Sequence, residues 1–168
     1  MKKSILAIAL IGASTLGFSQ RGEIKDAEKA VDDGNFTLAL EELNKAESLL
    51  GDEKEKWVIR YHLAKAKAHG NMATSQSGNE MIQNLTTALD AIDEVLEIED
   101  DNEDALVYQN ELRQTMVQTA IDGQNNGDFD TAQDLLYKTY KMNTNDTVML
   151  YYAASAAVNG KLYDEALD

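Results

Sequence analysis

The apolar positions of this chain recur at helical spacing almost throughout. In FTLALEELNKAESLL, residues 36–50, Phe36, Leu40 and Leu43 share one row with Glu47, while Ala39, Leu43, Ala46 and Leu50 form the row beside it. Steps of three and four put such residues on one face of an amphipathic helix. Trp57, Tyr61, Ala64 and Ala68 make a second stripe of the same kind. No segment sustains a period of two, and the chain has no proline to break a helix. The pattern therefore predicts an all-α fold. Helices are expected over 23–33, 36–50, 54–69, 80–98, 103–124, 129–142 and 146–158, with an eighth opening near 162. Between the third and fourth, GNMATSQSGN (70–79) is small and polar and reads as a loop.

The segments also repeat one another. GNFTLALEELNKAESLL (34–50) and GDFDTAQDLLYKTYKMN (127–143) both run Gly, then Asn or Asp, then Phe, then an Ala three residues later. A further copy begins in GKLYDEALD (160–168), and TTALDAIDEVLEIEDDN (86–102) carries Ala88 and Ile92 at the Ala-x₃-large positions. In these motifs the chain resembles the tetratricopeptide-repeat family, whose second helix carries Ala-x₃-Phe. The resemblance covers nearly all of residues 22–168. It implies an antiparallel helix-pair right-handed solenoid of about three and a half repeats (22–51, 54–100, 103–144 and an incomplete 146–168), truncated at the C-terminus. It gives Gly34 and Gly127 the left-handed end of a first helix, and Phe36 and Phe129 the packing of the turn. Ala39, Ala88, Ala132 and Ala166 are the small residues where paired helices approach. Leu43, Ile92 and Leu136 fill the space above them, and Ala46 and Val95 continue that face. The Trp-x₂-Leu-Gly start is poorly kept, and the terminal proline of the repeat is replaced by Gly51, Asp100 and Thr144.

Marker spacing locates the irregularities. Ala132 and Ala166 are 34 apart, the repeat length, but Ala88 to Ala132 is 44 and Ala39 to Ala88 is 49. The excess should lengthen the helix from 80 at its start and the helix from 103 at its end, bringing Met81, Ile82, Met116 and Val117 into contact.

Composition then sets the surroundings. Lys2 and Lys3 precede an apolar run, Ile5 to Leu16, and Gly17-Phe18-Ser19 is a small-x-small site, so residues 1–19 read as a secretory signal peptide. The GFSQ ending is similar to that of exported proteins of the Bacteroidetes. With no cysteine there is no disulfide, no thiolate metal site and no lipidated anchor residue. The expected location is periplasmic or secreted, soluble and not a lipoprotein. The formal charge is −15, and beyond the leader thirteen basic residues face thirty acids. Such a surface repels nucleic acid and anionic membranes, and serves solubility first and cationic partners second.

Candidate chemistry is sparse. His62 and His69 are two turns apart on one helix, about 10 Å by helical rise, too far to share a metal, and read as surface residues. Neither a glycine-rich phosphate loop nor a nucleophile elbow occurs. Catalytic, cofactor-binding and metal residues are accordingly not assigned. Three Asn-x-Thr tripeptides start at Asn35, Asn84 and Asn145, and two Asp-Thr-apolar tripeptides at Asp130 and Asp146; all read as helix caps. DDNEDALVYQNE (100–111) matches an EF-hand loop at Asp100, Asn102, Asp104 and Glu111, but Ala105 stands where that loop needs glycine. Two functions remain. The resemblance implies a non-catalytic scaffold binding a basic or amphipathic peptide or protein surface along a concave acidic face. The alternative is a calcium-binding or cation-stabilised helical protein using the 99–104 acidic cluster.

Overall fold

The computed structural model describes residues 21–48, 50 and 54–162, and seven α-helices lie among them. The expected leader 1–19, Gly51, the expected eighth helix and Ala166 lie outside the described residues. The helices are α1 (21–32), α2 (Phe36–Glu47), α3 (Glu55–Ala73), α4 (Gly78–Ile98), α5 (Glu103–Asn126), α6 (Phe129–Met142) and α7 (Thr147–Gly160). Among the described residues there is no strand, and the fold is all-α. No helix among them is long and apolar enough to cross a membrane.

Local chemistry sets the helix ends. Asn35, Asn102 and Asp128 each accept a backbone N–H three residues on, from Leu38, Ala105 and Thr131 at 3.3, 3.0 and 3.3 Å. Each bond satisfies one of the donors a helix start leaves open. Gly34 and Gly127 precede two of these caps with φ of 73° and 80°, where a Cβ would be strained. Asp146 holds the same position before α7 but makes no cap bond; its carboxylate accepts from Arg113 Nη2 of α5 at 2.6 Å instead.

Each helix packs on the next, and α3–α5 and α4–α6 touch across the intervening element. The main core is built around Leu85, Ala88, Ala91, Ile92 and Val95 of α4. It gathers Ala66 and Ala73 of α3, Ala105, Leu112, Met116 and Ala120 of α5, and Ala132, Leu135 and Leu136 of α6. A second cluster joins Ile24 and Ala27 of α1 to Leu43 and Ala46 of α2 and to Tyr61 and Ala64 of α3. A third, smaller one is Ala30, Ala39 and Ala68. Fully burying a leucine or isoleucine contributes about 1.5–3 kcal/mol, so the large residues of α4 stabilise most, while the alanines set how closely the helices approach. Phe36 and Phe129 are only half-buried at their turns.

Three expectations need correction. First, 70–79 is not a loop: α3 continues through Ala73, α4 begins at Gly78, and only 74–77 connect them. The reason is tertiary. Gly70 is buried where a Cβ would collide with Tyr108 Oη and stand 3.1 Å from Leu112 Cδ2, so α5 packs against a helix whose composition reads as coil. Second, Met81, Ile82 and Met116 do share the main cluster, but Val117 is turned away and lines a hollow between α5 and α7. Third, both histidines are half-buried. His69 Nδ1 lies 2.6 Å from Asn84 Oδ1. His62 Nδ1 is enclosed with no hydrogen-bond partner among the described residues, and its ring stands edge-on to Tyr61 at 5.0 Å.

Candidate functional site

The alternate helices α1, α3 and α5 put polar side chains along one side of the molecule. Two adjoining cavities open there, of about 480 and 270 Å³, and both are lined by Arg60, Leu63 and Asp104. The larger runs over Ile59, Leu63 and Ile98 towards Glu55, Lys56, Glu99 and Asn102. The smaller reaches α1 at Glu28, Val31 and Asp32 and ends at Lys67. The floor is apolar and the walls carry both signs of charge. Glu99 at the end of α4 and Asp104 of α5 supply acids on one wall, while the α3 wall supplies Lys56, Arg60 and Lys67 beside Glu55.

Arg60 is the fixed element of the groove. Its Nε donates to Glu28 Oε1 at 2.7 Å, its Nη2 bonds Glu28 Oε2, and its guanidinium lies 4.5 Å from the centre of the Trp57 ring. A bidentate carboxylate bond and an aromatic face together fix a planar cation. The bond to Glu28 also raises the Arg60 pKa. Arg21 and Lys25 of α1 approach the same indole, each at 5.7 Å. By contrast Lys56, Lys67, Asp32 and Asp104 have no side-chain bond among the described residues.

Other groups are committed to structure. Burial pushes the Tyr108 phenol up to about 12, and Tyr61 is raised further, first by burial and then by Glu47. Burial lowers His62, against the opposing pull of Glu94 and Glu47. The 100–111 stretch is a helix start: Asn102 Oδ1 is used as the cap, and its Nδ2 donates to Glu99 Oε2 at 2.7 Å. Asp104 and Glu111 stand about two turns apart on α5, roughly 10 Å by helical rise, and do not converge on one point. Among the described residues, no group of three or more His, Asp or Glu is placed to hold a metal ion. Of the three Asn tripeptides, Asn35 caps α2, while Asn84 lies inside α4 and bonds Gln76 Oε1 at 2.6 Å. Thr131 of the first Asp-Thr tripeptide is buried.

The repeat markers Ala39, Leu43, Ala46, Ala88, Ile92, Val95, Ala132 and Leu136 all lie in the core behind the groove, not in it. The groove residues themselves were missed by pattern reasoning, because a charged residue on a polar face gives no periodic signal. One signal was countable. Residues 21–67 hold nine Lys and Arg against eleven Asp and Glu, while 68–168 hold four against nineteen. The cations are thus concentrated where α1 and α3 form the groove. Comparison with known family models, curated proteins and solved structures gives no match.

Proposed function

We propose that this chain is a non-catalytic scaffold that binds a peptide or protein surface along the α1–α3–α5 groove. In this reading the helices form antiparallel pairs of a tetratricopeptide-like right-handed solenoid, with α1, α3 and α5 on its concave side, in an exported protein. The observation that carries it is the pair of adjoining cavities that share Arg60, Leu63 and Asp104, which we read as one channel with an apolar floor. An extended segment suits such a channel, because side chains can anchor on the floor while its ends stay in water. The repeated Gly-(Asn/Asp)-Phe turns and the packing of every second helix support the same reading. A photo-reactive residue at Leu63 tests it in an envelope extract, against a control at Asp134 of α6, which lines neither cavity. Discrete adducts at position 63 and none at 134 are expected. Equal labelling at both positions would remove the groove as the binding face.

A further inference from the structure

The groove's charges are not of one sign, and that fixes the chemistry of its occupant. Lys56, Arg60 and Lys67 run down α3, flanked by Glu28 and Asp32 of α1 on one side and by Glu99 at the end of α4 and Asp104 of α5 on the other. Arg60 is satisfied by Glu28. Lys56 and Lys67, and Glu55, Asp32 and Asp104, have no side-chain partner among the described residues. The channel therefore offers two uncommitted cations and three uncommitted anions around the Ile59–Leu63–Ile98 floor.

From this arrangement we infer that the ligand is an amphoteric peptide segment: an apolar side chain on the Leu63 floor, a basic side chain for Asp104, and an acidic side chain for Lys67 or Lys56. The inference rests on the peptide-binding reading of the groove and narrows it. A purely basic segment brings like charges against the α3 lysines, and a purely acidic one against Asp32 and Asp104. Such juxtapositions reject wrong partners more effectively than matched pairs attract right ones. Dimensions agree. Lys56 and Lys67 are eleven residues apart, about 16 Å along α3 at helical rise. An extended peptide spans that distance in roughly five residues. Leu63 lies between them, so one short segment can reach a lysine while its apolar side chain rests on the floor.

The test uses three mixtures of short fluorescein-labelled peptides, each with a central leucine and random residues between. One carries Glu on one side and Lys on the other, in both orders; one carries Lys on both sides, and one Glu on both. Binding to the full chain is followed by fluorescence anisotropy. The amphoteric mixture is expected to bind about tenfold tighter than either of the others, and the advantage should shrink at high salt. Asp104→Lys should move the preference to the acidic mixture, and Lys67→Glu to the basic one. Both residues lie at the surface, and thermal melts of the variants confirm that folding is intact. If the basic mixture binds as tightly as the amphoteric one, the inference falls while the groove reading stands. If none of the three binds, the groove reading falls with it.

Discussion

Helices α3 and α7 are both rich in small residues and aromatics, yet they meet opposite fates. In α3, Tyr61, Ala64, Ala66, Ala68, Gly70 and Ala73 are all buried, because α2, α4 and α5 pack around it. Glu55, Lys56, Arg60 and Lys67 fall on the remaining strip and line the groove. Helix α7 has no charged residue from Thr147 to Gly160, and among the described elements it packs chiefly on α6. Ala153, Ala156 and Ala157 are buried there, but Val148, Tyr151, Tyr152 and Val158 remain 47–70% exposed. An apolar sequence makes a helix able to be buried; only its neighbours decide whether it is.

Substitutions on the two sides should separate these cases. The largest effect is expected in the core behind α3: Leu85→Ala, at a fully buried site, should cost about 3 kcal/mol. Tyr151→Ala on α7 should cost less than about 0.5 kcal/mol. Denaturant titration measures both, and a large loss at Tyr151 would mean that a further element covers that face. Next is the α3–α5 contact. Gly70→Val should cost about 2 kcal/mol by overpacking against Tyr108 and Leu112. Gly70→Ala should be milder and should be relieved by Tyr108→Phe, since Ala is intrinsically better than Gly in a helix by about 1 kcal/mol. Failure of the double variant to recover would show that Tyr108 is not the obstruction.

A smaller effect concerns how α7 is held. Arg113→Ala, which frees Asp146, should cost on the order of 1 kcal/mol, and the loss should shrink in high salt. The smallest is pH-dependent. Burial lowers His62 below its ordinary 6.5, so the unfolded chain takes up a proton that the folded chain refuses. The stability contribution is complete above 6.5 and declines as pH falls from there toward the lowered value. Melting temperatures of the wild type and His62→Gln should therefore converge as the solution is acidified through that window. Parallel curves would show that His62 is not the titrating group.

Much of the fold was legible because its rules are local. The Gly-Asp-Phe start of α6 and its apolar spacing give 129–142 from sequence, and the structure has Phe129–Met142. The end of α3 was not legible, because what keeps Asn71 and Met72 helical is the packing of Gly70 against Tyr108, 38 residues further on. The histidines were misplaced because His69 meets Asn84, a polar residue without periodic signal, and His62 stands beside Tyr61, whose stripe marks its own burial but not that of its neighbour. The groove was illegible at the level of pairing. Lys56, Lys67 and Asp104 are visible as charges, but that they face one channel depends on how α3 lies beside α5.

Arg60 has one more consequence. It lines both cavities, holds Glu28, and rests on the face of Trp57, the chain's single tryptophan. Any occupant that draws the guanidinium aside must change the electric field at that indole, and with it the colour and yield of its emission. The molecule thus carries an intrinsic optical gauge of its own channel, readable in unlabelled protein.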